Sequence, residues 1–335
     1  SGVIADRFGK KTELVFCFLF YIVSFILFYI ASGYFMFILA MIAFGLGEAF
    51  RSGTHKAMIM QYLDVNDLDM PKSQIYGQTR SMSLIGSMTM SIVSIVFIIW
   101  LPEVRILFLL SIIPYLIDIL LILSYPKYMN KKRDTEFKLK GFLKENYIAV
   151  KYTLTNKEVR GLLVKSSSYQ AAFKSIKDYI QPIIITLTSS IILFSAFSLE
   201  ENLKIYIGVI YAVIFLFSSF ASRNAHLVVK KFNNRTIINL MWLLTGAVMI
   251  TLSFFLNNLF IIFVSFLVFY ILLNIRRPLM VELVGEATDK TKRASVLSVE
   301  SQLTSLFVAV FALIQGSLKE RNMRLLFIVV GVVMV

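Results

Sequence analysis

The chain has 335 residues, of which 58% are apolar and only 16% charged, and its formal net charge is +14. One soluble core cannot bury an apolar share of that size, so lipid must cover the remainder. The excess of Lys and Arg is then a signature of topology and of attraction to anionic lipid, which argues against a nucleic-acid partner. One cysteine, Cys17 inside an apolar run, and two histidines, His55 and His226, leave no disulfide framework and no Cys/His zinc site, so no cofactor is expected.

Apolar runs of about the 20 residues a helix needs to cross a bilayer stand at 13–31, 35–60, 76–100 and 105–125. Their apolar character is continuous, without the alternation of barrel strands, and predicts an all-α polytopic membrane protein. In the second run Glu48, Arg51, Ser52 and His55 fall at i, i+3, i+4 and i+7 on one helical face, with Lys56 one step round. Glu48 can pair with Arg51 on its own helix. The face is either a self-neutralised pair packed between helices or an element of gating and coupling. Arg80 opens the third run. Asp118 lies about 13 residues into the fourth, after Pro114, with no cation beside it on its own helix. A carboxylate at that depth is paired across helices or protonated, and either state suits a coupling acid.

Residues 127–160 interrupt this pattern with ten Lys and Arg. Leu139, Phe142, Leu143, Tyr147, Val150 and Leu154 recur there at helical spacing beside Lys138, Lys140, Lys144 and Lys151. Such a pattern describes a basic amphipathic helix on a membrane surface, serving as a linker or as a docking element. Apolar runs resume at 161–193, 204–222, 236–256, 259–284 and 295–317, and a last one begins at Met323. The run at 161–193 is the most polar. Gln170, Lys174, Lys177, Asp178 and Gln181 make a stripe about 16 Å long at about 1.5 Å per residue, which lines water unless Lys174 and Asp178 merely neutralise each other. Pro182 lacks a backbone donor and is predicted to bend or unwind this helix. Arg276 and Arg277 are expected to snorkel from the end of their run, with Glu282 as a partner, and Glu300 is the remaining acid inside a span. The many Phe and Tyr are read as packing or lipid-facing residues, with no aromatic box.

Lys and Arg gather in the loops around Lys10, Lys72, 127–160, Lys230 and Lys290, and the opposite side holds only Arg105, Lys204, Lys319, Arg321 and Arg324. The first side is therefore predicted to be cytoplasmic. Ser1 to Lys11 read SGVIADRFGKK. Gly2, Asp6, Arg7, Gly9, Lys10 and Lys11 fit the pattern Gly-x-x-x-Asp-Arg-x-Gly-Arg/Lys-Arg/Lys, and the string resembles the loop signature of the major facilitator superfamily of membrane transporters. A worn copy runs from Ser222 to Arg235. The second family pattern, Arg-x-x-x-Gly-x-Gly-x-Ala, appears from Met41 to Ala49 with Met41 in place of an arginine linked in many members to proton coupling. The Gly-Pro signature of the drug antiporters is absent around Gly77, Gly86 and Ser94.

The resemblance implies a six-plus-six helix bundle of which the first two spans and the end of the last are missing. Residues 1–126 would be the remainder of the N-terminal bundle, 127–160 a cytoplasmic linker and 161–335 the C-terminal bundle. It implies a latch, and the gating candidates are Gly2, Asp6, Arg7, Gly9 and Arg51. It also places the run at 161–193 beside the central cavity. Substrate-binding candidates are Gln170, Lys174, Lys177, Gln181 and Arg80; proton-coupling candidates are Asp118, Glu48 and Asp178. No catalytic or metal-ligating residue is expected, because no nucleophile stands with a base. The function predicted is a permease that moves a small solute by alternating access with protons or another ion. Cations outnumber acids among the cavity candidates, which favours an anionic or amphipathic anionic solute, or one with several hydroxyls. An efflux antiporter, an uncoupled facilitator and a non-transporting membrane sensor are the alternatives. Membrane lipids are the expected surroundings, and a monomer in a prokaryotic plasma membrane is the expected state.

Overall fold

The computed structural model describes residues 9–66, 71–130, 147–148, 150–188, 194–229, 233–289 and 292–334. All regular structure among them is helical: α1 (Lys10–Ile30), α2 (Tyr34–Val65), α3 (Lys72–Trp100), α4 (Ile106–Ser124), α5 (Lys157–Ile176), α6 (Ile180–Thr188), α7 (Leu199–Arg223), α8 (Ala225–Val229), α9 (Asn234–Phe254), α10 (Leu259–Glu286), α11 (Arg293–Arg321) and α12 (Met323–Met334). Eight of these are long and apolar enough to cross a membrane. Leu120, Leu313 and Val333 are among many large apolar side chains that stand exposed, as lipid contact requires. The protein is an all-α, multi-pass integral membrane protein. Of the amphipathic pattern, Leu139, Phe142, Leu143 and their lysines lie outside the described residues; Tyr147, Val150 and Leu154 are helical and exposed.

Local chemistry sets the helix ends. Ser198 and Glu201 form a reciprocal capping box at the start of α7, and Asn233 caps α9 by accepting from the Arg235 N–H at 3.0 Å. The run at 161–193 is not one helix. A 3₁₀ turn, Lys177–Tyr179, separates α5 from α6. Pro182 has no N–H to give the carbonyl of Asp178 four residues back, so the α-helical ladder loosens at Asp178, inside that turn.

The chain divides into two compact units. The first comprises Ser1–Asp69, Leu101–Gly161 and Gly285–Gln302. In it α1 lies against α2 and α4. Gly47 permits the approach of α2, because a Cβ there would stand 2.8 Å from the Tyr21 ring. Leu14, Met58, Ile122 and Met129 form a core at one end, and Tyr21, Phe25, Phe44 and Tyr115 make an aromatic cluster above it.

The second unit comprises Met70–Trp100, Leu162–Val284 and Leu303–Val335. Here α3 lies along α7, and α9 along α12. Between helices in lipid there is little hydrophobic drive, so small residues that let backbones close in provide the contact. A Cβ on Gly77 would collide with the carbonyl of Ser222, whose hydroxyl donates to the Gly77 carbonyl at 3.2 Å. Ser81 and Ser219 share a hydrogen bond of 2.7 Å, and Gly208 faces the Ser91 carbonyl. An aromatic core of Phe173, Phe266, Phe269, Tyr270 and Phe327 fills the rest.

Candidate functional site

Polar side chains cluster in each of the two units. In the second unit, the break after α5 turns polar groups toward α7 and α10. Asp178 pairs with its neighbour Lys177 at 2.5 Å, a partner the i, i+4 spacing does not anticipate, since the 3₁₀ turn replaces the 3.6-residue period there. Gln181 Nε2 donates to the Tyr211 hydroxyl at 3.5 Å, and Tyr211 lies within hydrogen-bonding reach of the Tyr270 hydroxyl on α10. Both tyrosines feel the negative charge of Asp178. One turn along α10, Asn274 donates from Nδ2 to the Tyr270 carbonyl at 2.9 Å and accepts from Arg80 Nε at 3.2 Å. Arg80 of α3 and Gln181 of α6 therefore each reach α10, Arg80 through Asn274 and Gln181 through Tyr211 and the Tyr270 hydroxyl. Lys174 is exposed, and Gln170 donates to Ser166 Oγ on its own helix at 3.0 Å.

In the first unit the expected Glu48–Arg51 pair forms, with Arg51 Nη1 3.7 Å from Glu48 Oε1. The same oxygen accepts from the Tyr21 hydroxyl of α1 at 2.5 Å. Asp118 of α4 feels the positive charge of Arg51, as do Tyr115 and His55, so all three elements turn polar groups to one region. The side chain of Lys56 lies outside the described residues, as do Gly2, Asp6 and Arg7.

The described part of the loop motif is an anchor. Gly9 has φ of 93°, the left-handed region that suits glycine, and a Cβ on it would strike the Asn130 side chain. Asn130 Oδ1 accepts from the Lys11 N–H at 3.2 Å, capping α1 from 119 positions along the chain. Lys11 Nζ donates to the carbonyls of Leu123 and Tyr125 at 2.9 and 2.6 Å, placing a cation at the C-terminus of α4. Lys10 Nζ reaches Gln61 Oε1 at 2.5 Å.

One expectation is overturned. Arg276 does not snorkel: it is 1% exposed, its guanidinium lies 4.2 Å from the Tyr169 ring centroid and 5.3 Å from that of Trp242, and it donates to the Lys165 carbonyl at 3.1 Å. Protein, not the membrane interface, solvates this charge, because α5 and α9 bring two aromatic faces to it. Glu282 is buried and accepts from the Ser73 N–H at 3.4 Å. Residue spacing also missed Glu13, which is buried and accepts from Thr54 Oγ1 at 2.5 Å, together with Tyr21, Tyr211, Tyr270 and Asn274. Glu13 carried a signal, an acid at the first position of an apolar run; the tyrosines and Asn274 carried none that set them apart from packing residues.

Eight helices long and apolar enough to span, with polar side chains clustered in each unit, define a polytopic membrane protein. The sequence profile of the Major Facilitator Superfamily matches residues 1–199, and the chain belongs to that family of secondary transporters. Among solved structures, the human organic anion transporter MFSD10 (TETRAN) is similar with a TM-score of 0.71 at 12% identity, over 99% of this chain and 77% of that one. The proton:xylose symporter XylE bound to 6-bromo-6-deoxy-D-glucose is similar with a TM-score of 0.65 at 14% identity, over 99% of this chain and 80% of that one. At these identities the likeness is one of fold. Comparison with curated proteins finds no match.

Proposed function

We propose that this protein is a proton-coupled permease for a small anionic solute, working by alternating access between two six-helix bundles joined by the basic segment 127–160. The observation that carries the reading is the interrupted helix α5–α6. Its 3₁₀ turn leaves Lys177, Asp178 and Gln181 beside Tyr211 and Tyr270, where backbone and side-chain groups are available to a ligand. In this reading Gln170, Lys174, Lys177, Gln181 and Arg80 line the solute path, Asp118, Glu48 and Asp178 are the acids available for coupling, and Asp6, Arg7, Gly2, Gly9 and Arg51 serve gating. The charge balance of these residues supports an anion. So does the organic anion named for MFSD10, whereas the xylose named for XylE supports a hydroxylated solute. The side with more Lys and Arg faces the cytoplasm of a prokaryotic cell, and the monomer is the working unit.

An uncoupled facilitator is the second reading, favoured by Met41, an exposed thioether where the family pattern carries arginine. Counterflow in proteoliposomes at two pH values separates the two. Lys174→Ala should weaken affinity for an anionic solute at least about tenfold through loss of a point charge in a low-dielectric site, and Gln181→Ala should weaken anionic and neutral solutes alike. Equal affinities in both variants and wild type would remove the stripe from the solute path. A rate independent of pH in wild type would favour the facilitator.

A further inference from the structure

Arg51 stands at the centre of the polar face of the first unit, and its ion pair is loose. The 3.7 Å separation from Glu48 is longer than a charge-assisted hydrogen bond, and the two side chains are 52% and 46% exposed. Glu48 is held more closely by α1, through the Tyr21 hydroxyl at 2.5 Å. A guanidinium offers five N–H donors in a planar fork, and one distant oxygen uses little of that capacity. Beside it rises an aromatic wall: the rings of Tyr21 and Tyr115 are 5.1 Å apart, Phe44 is 5.2 Å from Tyr21, and Phe25 is 5.4 Å from Tyr115. Both tyrosines lie within the field of Arg51, so wall and cation are neighbours.

Resting on the transporter reading above, we infer that Arg51 is the recognition point for the carboxylate of an amphipathic organic anion, and that the anion takes Arg51 from Glu48, which one proton then neutralises. The solute arrives as a carboxylate, the Arg51–Glu48 pair opens, and the guanidinium makes two parallel N–H···O bonds to the solute. The apolar body of the solute lies on the aromatic wall. Glu48 keeps the Tyr21 hydroxyl on Oε1 and accepts a proton from hydronium on Oε2, releasing water. The net charge of the site is the same before and after, because one anion and one proton enter together. Coupling thus needs no second charge movement.

Other titratable groups face this region and are separable. From α1, Cys17 senses both Arg51 and Glu48, and beside Cys17 stands Glu13, engaged by Thr54. From α2, His55 lies one turn beyond Arg51, and from α4, Tyr115 and Asp118 approach. Asp118 is the competing proton acceptor, since it too senses Arg51.

The test uses the full chain in lightly buffered detergent solution, with benzoate, phenylacetate and hexanoate as probes. Wild type should take up about one proton per anion bound, and its affinity should strengthen as pH falls, since binding that consumes a proton is favoured by acid. Glu48→Gln should bind with a flat pH profile and no proton uptake. Arg51→Lys should bind at least about tenfold more weakly because the planar fork is lost. Binding of no probe, uptake that persists in Glu48→Gln, or unchanged affinity in Arg51→Lys overturns the inference. If Glu48→Gln does not fold, the proton count and pH slope of wild type decide alone, and a flat slope overturns it. Proteoliposome exchange of the same anions, glucose and choline separates the two levels. Exchange of any solute without Glu48-dependent uptake sinks this inference and spares the transporter reading, whereas exchange of none sinks that reading as well.

Discussion

Arg276 shows how far a single residue can depart from what its position in the chain implies. Two consecutive arginines near the end of an apolar run read as interfacial residues, yet the first is enclosed by Tyr169, Trp242 and the Lys165 carbonyl. A desolvated cation over aromatic faces is worth about 2 kcal/mol, and its hydrogen bond about 1.5–3 kcal/mol more than an unmade one. Arg276 thus ties α10 to α5 and α9, with Tyr169 itself fixed by a 2.7 Å hydrogen bond to Thr245. Arg276→Gln should lower the melting temperature of the detergent-solubilised protein markedly, because an amide cannot satisfy both rings and the carbonyl. Transport per folded molecule should change little. Normal melting with lost transport would instead make Arg276 a solute or gating residue. Gly9 illustrates the opposite case, a residue whose motif position is explained by its geometry: positive φ and the crowding of Asn130 leave room for no side chain.

At the scale of elements, the helix break after α5 is the feature that distinguishes this chain from a plain bundle. Pro182→Ala returns a donor for the Asp178 carbonyl and removes a residue that costs about 3 kcal/mol inside a helix. The variant should be as stable as wild type or more so, and should transport more slowly because the turn at Lys177–Tyr179 closes into regular helix. Hydrogen exchange at residues 177–182 together with initial uptake rates checks this; faster exchange in the variant would show that Pro182 is not what opens the helix. Most element boundaries were legible in the sequence because apolar run length is nearly the only variable a lipid-spanning helix needs. The run at 35–60 and α2 (Tyr34–Val65), or 236–256 and α9, agree within a few residues. Pro182 announced the break as well. What spacing could not supply was the partner of a side chain across helices. Arg80 meets Asn274 at 194 positions' distance, and Glu48 meets Tyr21 at 27, and no periodicity within one helix encodes either contact.

At the scale of the whole molecule, the Lys and Arg distribution makes a claim about orientation that one reporter can read. The chain has a single cysteine, Cys17, and it is buried, so introduced thiols report against a quiet background. Lys157 and Asn258 are both exposed, at the start of α5 and just before α10. In intact cells an impermeant maleimide should label Asn258→Cys and spare Lys157→Cys until the membrane is opened. The reverse pattern would invert the protein, and equal labelling would reject the assigned orientation.

The close seating of α3 on α7 also has a bearing on how the chain is made. Gly77 and Ser222, which touch, are 145 positions apart. At about 5–20 residues per second, a ribosome needs roughly 7–30 s to supply the second after the first. During that interval α3 stands in the bilayer with its hydroxyl-rich face waiting. Part of that helix is equipped to wait: Ser87 donates to the Ser83 carbonyl and Ser91 to that of Ser87, both within α3, at 3.1 and 2.8 Å. A hydroxyl bonded to its own helix presents lipid with a smaller unmet polar demand. The newborn helix is therefore tolerated by the membrane before its partner exists, and the pairing that follows exchanges lipid contact for protein contact without first having to dry out a wet surface.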